Sequence, residues 1–195
     1  MKILNVECPV VITKFPKHEV IKDKLLDLIS SAEYECIEPI KGNSEIDKLE
    51  LERGPQDSVA RVDWVHAKDF ERPWVKFLWA YFIENYITIV KKLGYRGAEV
   101  RDIWFQQYLK GGTHGWHSHG QNYTGVYYLE FPEGAPFTEF QTMETRISQE
   151  NMITQIPNIK EGYFISFPAF LLHRAPKVLN VERKTIISFI EFYYF

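Results

Sequence analysis

From Gly97 onward the chain reads as a succession of short β-branched and aromatic runs: RDIWFQQYL, YTGVYYLEF, FTEFQ, MITQI, GYFISF and KTIISFIEFYYF. Gly, Pro and Asn punctuate them at short intervals, the pattern of antiparallel strands joined by turns. Helical residues dominate before that point. In KHEVIKDKLLDLISSAEYE, Ile21, Leu25, Leu28 and Ile29 share one helical face with charges opposite. In ERPWVKFLWAYFIENYITIVKKLGY, Pro73 stands in the first turn, Lys91 and Lys92 in the last, and Gly94 just past the end. That helix is apolar nearly all round, so it should pack against a sheet, with Phe77, Tyr81 and Val90 as buried scaffold. The expected fold is mainly β with flanking helices: a jelly roll whose larger sheet is covered by helices. The chain is expected to form a single domain over 1–195, with 1–96 mostly helical support and 97–195 the jelly-roll core.

At 195 residues, 45% hydrophobic and 15% aromatic, the chain can bury a core of that size. A net charge of -3 with scattered basic residues gives no reason to bind nucleic acid or an anionic membrane. Cys8 and Cys36 stand outside any CxxC pattern, as in a reduced, cytoplasmic protein. The opening MKILNVECPVVITKF has no uninterrupted apolar core of a signal peptide. Lys76, Glu84 and Asn85 break the longest apolar stretch, Trp74 to Val90, so no membrane span is expected. Oligomeric state is left open.

Three of the six histidines, His114, His117 and His119, fall within the stretch GGTHGWHSHG. Crowded imidazoles repel when protonated, and the usual reason to tolerate them is a metal or a proton transfer. In an extended segment His117 and His119 project to the same side, because side chains alternate with a period of two. A third ligand has to come from far along the chain, and His173 in FPAFLLHRAP is the candidate. His114 is expected outside the ligand set. Arg183, ten residues beyond His173, opens an apolar strand. A guanidinium there needs an anion, and its fork suits a carboxylate. Thr185 shares its strand face and offers a hydroxyl. Lys184, on the opposite face, is the weaker rival. Tyr108 and Gln106 share one face of the strand before the histidines, and Tyr128 lies on the strand after them. Trp116, beside the histidines, is expected to shape the mouth of the site.

The order of these motifs resembles the iron(II)/2-oxoglutarate-dependent oxygenases, and more narrowly their prolyl-4-hydroxylase-like and small bacterial and phage-type branches. The residues that carry the resemblance are His117-Ser118-His119, Thr124-Gly125-Val126-Tyr127-Tyr128-Leu129, Phe167-Pro168, His173, Arg183 and Ser188-Phe189. The resemblance implies a double-stranded β-helix, the cupin-like jelly roll. It implies Fe(II) held by His117 and His173, and 2-oxoglutarate held by Arg183 with help from Thr185, Tyr108 or Tyr128. It also implies a dioxygenase that hydroxylates a protein side chain or a small molecule with dioxygen, releasing succinate and CO2. The wider superfamily uses HxD or HxE, and here the third position is His119. A three-histidine iron site is favoured, with His119 as ligand. His119 beyond the ligand shell, or a carboxylate such as Glu130 or Glu139 in its place, are the other readings. Competing functions are a zinc or other three-histidine metalloenzyme on the same barrel, and an inactive cupin-like binding module. Segments 41–57 and 142–151 are expected to act as lids.

Overall fold

The computed structural model describes residues 8–38, 57–142, 153–155 and 158–194. Of the two expected lid segments, all but Asp57 and Thr142 lie outside these residues. In chain order the elements are β1 (Val11–Lys14), α1 (His18–Ser30), β2 (Glu35–Ile37), β3 (Val59–Val62), a 3-10 turn (Trp64–His66) and α2 (Pro73–Lys92). They continue with β4 (Gly97–Leu109), β5 (His114–His117), β6 (Tyr123–Glu130), β7 (Glu139–Thr142), β8 (Ile153–Gln155), β9 (Tyr163–Pro168), β10 (His173–Ala175) and β11 (Arg183–Tyr194).

Seven strands form one sheet in the order β1-β9-β6-β11-β4-β3-β2, and four form a second, β5-β10-β7-β8. Their pairings are antiparallel. Two antiparallel sheets whose connections cross repeatedly between them make the expected jelly roll. Three strands of the large sheet, β1, β2 and β3, come from the half expected to be helical support. They are three or four residues long, too short to show a period.

The large sheet is buried on both faces, and pleat alternation sorts its side chains into two cores. Ile103, Phe105, Tyr127, Leu129, Phe164, Ile187 and Phe189 pack against α1 and α2. Trp104, Tyr108, Val126, Tyr128, Ile165, Phe167 and Ile186 face the small sheet. Each large side chain so buried contributes about 1.5–3 kcal/mol. α2 covers the outer face of the large sheet as expected, but it does so through Trp74, Val75, Leu78, Phe82, Tyr86, Ile89 and Val90. Phe77 and Tyr81, expected to be buried, lie on its flank; they touch each other with ring centroids 5.3 Å apart, and Tyr81 is 40% exposed. The expected face of α1 forms from Ile21, Leu25 and Ile29, with Leu28 half-buried at its edge.

An ionic staple fixes the start of α2. Asp63, fully buried, accepts from Arg72, from Trp74 Nε1 at 2.9 Å and from the backbone N–H of Phe105 at 2.8 Å. No helix among the described residues is long and apolar enough to cross a membrane.

Candidate metal centre

The histidines meet where the small sheet opens. β10 pairs with β5 so that His173 stands directly opposite His117, a cross-strand pair whose rings lie 4.2 Å apart between centroids. His173 thus begins a strand of the second sheet. It does not end the apolar run before it, because the chain turns after Pro168, where Leu171 N–H donates to the Pro168 carbonyl at 3.0 Å. His119 reaches the same place by another route. β5 ends at His117, and the backbone N–H of His119 donates to the Ala169 carbonyl at 2.8 Å, so a loop contact aims this ring. One ring nitrogen from each of His117, His119 and His173 lies within 4.8 Å of the others.

Two of these rings are oriented by their own neighbours. Nδ1 of His117 bonds the Gly115 carbonyl at 2.7 Å, and Nδ1 of His173 bonds the Leu171 carbonyl at 2.8 Å. Each Nδ1 therefore carries the proton, which leaves Nε2 as the lone-pair donor, the arrangement metal-binding histidines adopt. Burial, followed by the charge of neighbouring imidazoles, pushes His173 down to about 3 and His119 down to about 4. Burial lowers His117 as well. All three rings are neutral near pH 7. A donor set of three neutral nitrogens suits a divalent first-row ion such as Fe(II) or Zn(II). Glu139 and Glu130, the carboxylates considered as substitutes for His119, are occupied elsewhere: Glu139 by Arg174 at 2.5 Å and Glu130 by Arg183. Trp116, expected at the mouth, lies under the Arg174 guanidinium, 4.7 Å from it.

His114 lines the same cavity and stacks on His117 at 3.9 Å, but it is not one of the three converging rings. Its other contacts are long, 3.4 Å to Gln106 Nε2 and 3.8 Å to Asp57 Oδ2.

The Arg183 expectation requires correction. Arg183 lies on the outside of the sheet, where Nε and Nη2 form a fork on Glu130 at 2.8 and 2.7 Å. Its side chain is 47% exposed. Thr185, on the same face, donates to Glu130 at 2.7 Å and accepts from Gln107 at 3.1 Å, so it too is turned from the cavity. The guanidinium did find a carboxylate, but a protein one. Ile186 and Ser188 line the cavity, and pleat alternation places Lys184 on their face. Lys184 is 2% exposed. Its Nζ donates to the Pro136 carbonyl at 3.1 Å and sits 5.0 Å from the centroid of the Tyr108 ring. No carboxylate among the described residues pairs with it, and burial pushes its ammonium down to about 7.

Tyr108 lies opposite Lys184 in the register of β4 and β11 and lines the cavity, and its buried hydroxyl has no partner among the described residues. The hydroxyl of Tyr128 is already bonded to Thr138 at 2.6 Å. A buried ammonium with no carboxylate against it, beside a buried hydroxyl with no partner among the described residues, fits a carboxylate, which would satisfy both. The residues present therefore fit a divalent metal at the histidines and an organic acid behind it. Larger grooves of about 440 and 470 Å3 lie at the α1–α2 junction and beside Phe131. Neither gathers histidines.

No protein-family model and no curated protein matches the sequence. Solved structures do share its architecture. An oxidoreductase of the 2OG-Fe(II) oxygenase family from Burkholderia pseudomallei superposes with a TM-score of 0.65 at 12% identity, over 93% of this chain and 84% of its own. The non-heme alpha ketoglutarate dependent epimerase SnoN from nogalamycin biosynthesis gives 0.66 at 10% identity, over 94% and 77%. A Pseudomonas putida prolyl-4-hydroxylase gives 0.56 at 10% identity, over 95% and 92%. At such identities the likeness is one of fold. The chain has the double-stranded β-helix architecture of the 2-oxoglutarate/iron(II) oxygenases.

Proposed function

We propose that the protein is an Fe(II)- and 2-oxoglutarate-dependent dioxygenase that hydroxylates a small molecule or a protein side chain with release of succinate and CO2. His117, His119 and His173 hold the metal, and Lys184 with Tyr108 holds the far carboxylate of 2-oxoglutarate. The observation that carries this reading is Lys184, a buried cation without a counter-ion on the cavity side of β11. A zinc hydrolase with the same three histidines has no use for it.

Bound Fe(II) supplies dioxygen activation coupled to oxidative decarboxylation of the cosubstrate. This chain's own residues do the rest. Lys184 and Tyr108 fix the diacid at one end, and the apolar wall of Val126 and Ile186, with Phe167 against the His173 ring, limits water around the histidines. The cavity holds only about 30 Å3 of free space, so admitting a five-carbon diacid requires a wall residue to move. His114, held by its stack on His117 and by two long polar contacts, is the wall residue best placed to do so.

The test is anaerobic titration of 2-oxoglutarate into the Fe(II)-loaded protein, followed by charge-transfer absorbance. Removing one partner of a buried charge pair costs about 2–5 kcal/mol, roughly a thirtyfold to several-thousandfold loss of affinity. Lys184→Ala is expected to show that loss, and Arg183→Ala to bind as the wild type does. Equal effects of the two substitutions would remove the anchor. Absence of oxygen-dependent succinate formation across a substrate screen would remove the oxygenase.

A further inference from the structure

Two polar atoms on the cavity wall are buried without a partner among the described residues: Tyr108 Oη and Trp104 Nε1. Both residues project from the cavity face of β4, four residues apart, or about 13 Å along the strand. A five-carbon diacid spans roughly 5 Å between its end carbons, four bonds of about 1.5 Å zigzagging. The far carboxylate of a cosubstrate held at Lys184 and Tyr108 therefore does not also engage Trp104. A buried donor left unpaired is costly, and the Trp104 indole, 4% exposed, lies with its centroid 6.2 Å from that of His119. Any group that satisfies this N–H sits beside the metal position.

Trp64 stacks on Trp104 with centroids 5.8 Å apart and planes 16° from parallel. Trp64 is 52% exposed and Val65 is 62% exposed, so the 3-10 turn carries an apolar ledge that begins at Trp104 and ends in water. Apart from Lys184, assigned to the cosubstrate, the cavity offers no free cation among the described residues. Arg174, its one cation among the lining residues, is engaged by Glu139 at 2.5 Å and lies 4.7 Å over the ring of Trp116.

We propose that Trp104 and Trp64 form the substrate subsite, and that it takes a neutral, planar ring compound bearing a carbonyl oxygen. The carbonyl accepts from Trp104 Nε1, and the ring lies against the ledge of Trp64 and Val65. This assignment rests on the oxygenase reading of the same site. Neutrality follows from the lining, whose one cation is already engaged by Glu139, so an ion at the ledge finds no side-chain counter-charge. Planarity follows from the flat indole face, on which a π-system gains stacking that an aliphatic chain does not.

Coumarin, neutral and planar with one carbonyl, is the probe. It is titrated into the full chain labelled with 15N at the indoles, whose five tryptophans give five N–H signals. The Trp104 signal is the one lost in Trp104→Phe. Coumarin is expected to shift that signal, and Trp64→Ala, at an exposed position, to weaken coumarin binding about tenfold or more while 2-oxoglutarate affinity stays unchanged. Coumarin-3-carboxylate and N-acetyl-Pro-Pro-amide are expected to bind far more weakly. A Trp104 signal unmoved at saturating coumarin, or unaltered coumarin affinity in Trp64→Ala, overturns the subsite. Equal or stronger binding of the carboxylate overturns neutrality, and that of the peptide makes the ledge a peptide groove. The readout needs no turnover, so the subsite can fail while the 2-oxoglutarate titration succeeds, and the reverse.

Discussion

Strand β11 separates two cores, and each hides an ionisable group with no opposite charge against it. On the helix side is Glu191, fully buried, accepting from Ser166 Oγ at 2.8 Å with its other oxygen unpartnered among the described residues. On the cavity side is Lys184. Burial pushes the carboxyl up to about 7 and the ammonium down to about 7. The two groups carry similar desolvation penalties and have different surroundings. Glu191 is walled in: a Cβ added at Gly125 would lie 2.9 Å from Glu191 Oε1 and 2.5 Å from Phe164 Cζ. This is why the strand TGVYYL has a glycine there. Lys184 instead neighbours Tyr108 at the end of a cavity. A buried charge is a functional signal when it faces space a ligand can enter, and a structural oddity when it does not.

Substitutions on the cavity side should therefore cost function, and those on the helix side should cost stability. The largest effect is expected at His173→Ala, which should abolish stoichiometric Fe(II) or Zn(II) binding measured by calorimetry. His114→Ala should leave metal binding intact. If the two behave alike, the three-ring assignment is wrong.

Next is the pH dependence of cosubstrate binding. Lys184 must be protonated to hold a carboxylate, and its ammonium in the free protein titrates at about 7. Affinity for 2-oxoglutarate should be flat below pH 7 and fall about tenfold per pH unit above it. Lys184→Arg should bind with less pH dependence over the same range, because guanidinium stays charged.

Stability sharpens the comparison with opposite signs. Glu191 has its folded value raised from 4.5 to about 7, so its contribution is fully present below about pH 4.5 and is lost as pH rises through 7. Lys184 has its folded value lowered from 10.5 to about 7. Its contribution is fully present above about pH 10.5 and is lost as pH falls through 7. The two together place a stability minimum near pH 7. In urea unfolding across pH, Glu191→Gln should remove the acid limb, on the order of 3 kcal/mol, and Lys184→Met the alkaline limb. Exchange of the two limbs between variants would contradict the assignment. The smallest effect is expected at Gly125→Ala, about 1–3 kcal/mol of destabilisation from overpacking, with metal binding retained.

The sequence by itself determined a good deal. The strand runs after Gly97, the punctuated helix from Pro73 to Lys92, and the candidacy of His117, His119 and His173 as ligands were all readable in the sequence. The tertiary structure decided the rest. His119 joins the other two through a loop bond to Ala169, not through strand alternation. His173 meets His117 because β10 belongs to the second sheet, which no local pattern announces. The choice between Arg183 and Lys184 turned on one residue of register. A half-buried strand shows its inner face as every second apolar residue, but β11 is buried on both faces, with Ile187 in one core and Ile186 in the other. A strand apolar on both sides has no alternation to read. Only its pairing, Lys184 opposite Tyr108 on the cavity face, says which of two adjacent cations points inward.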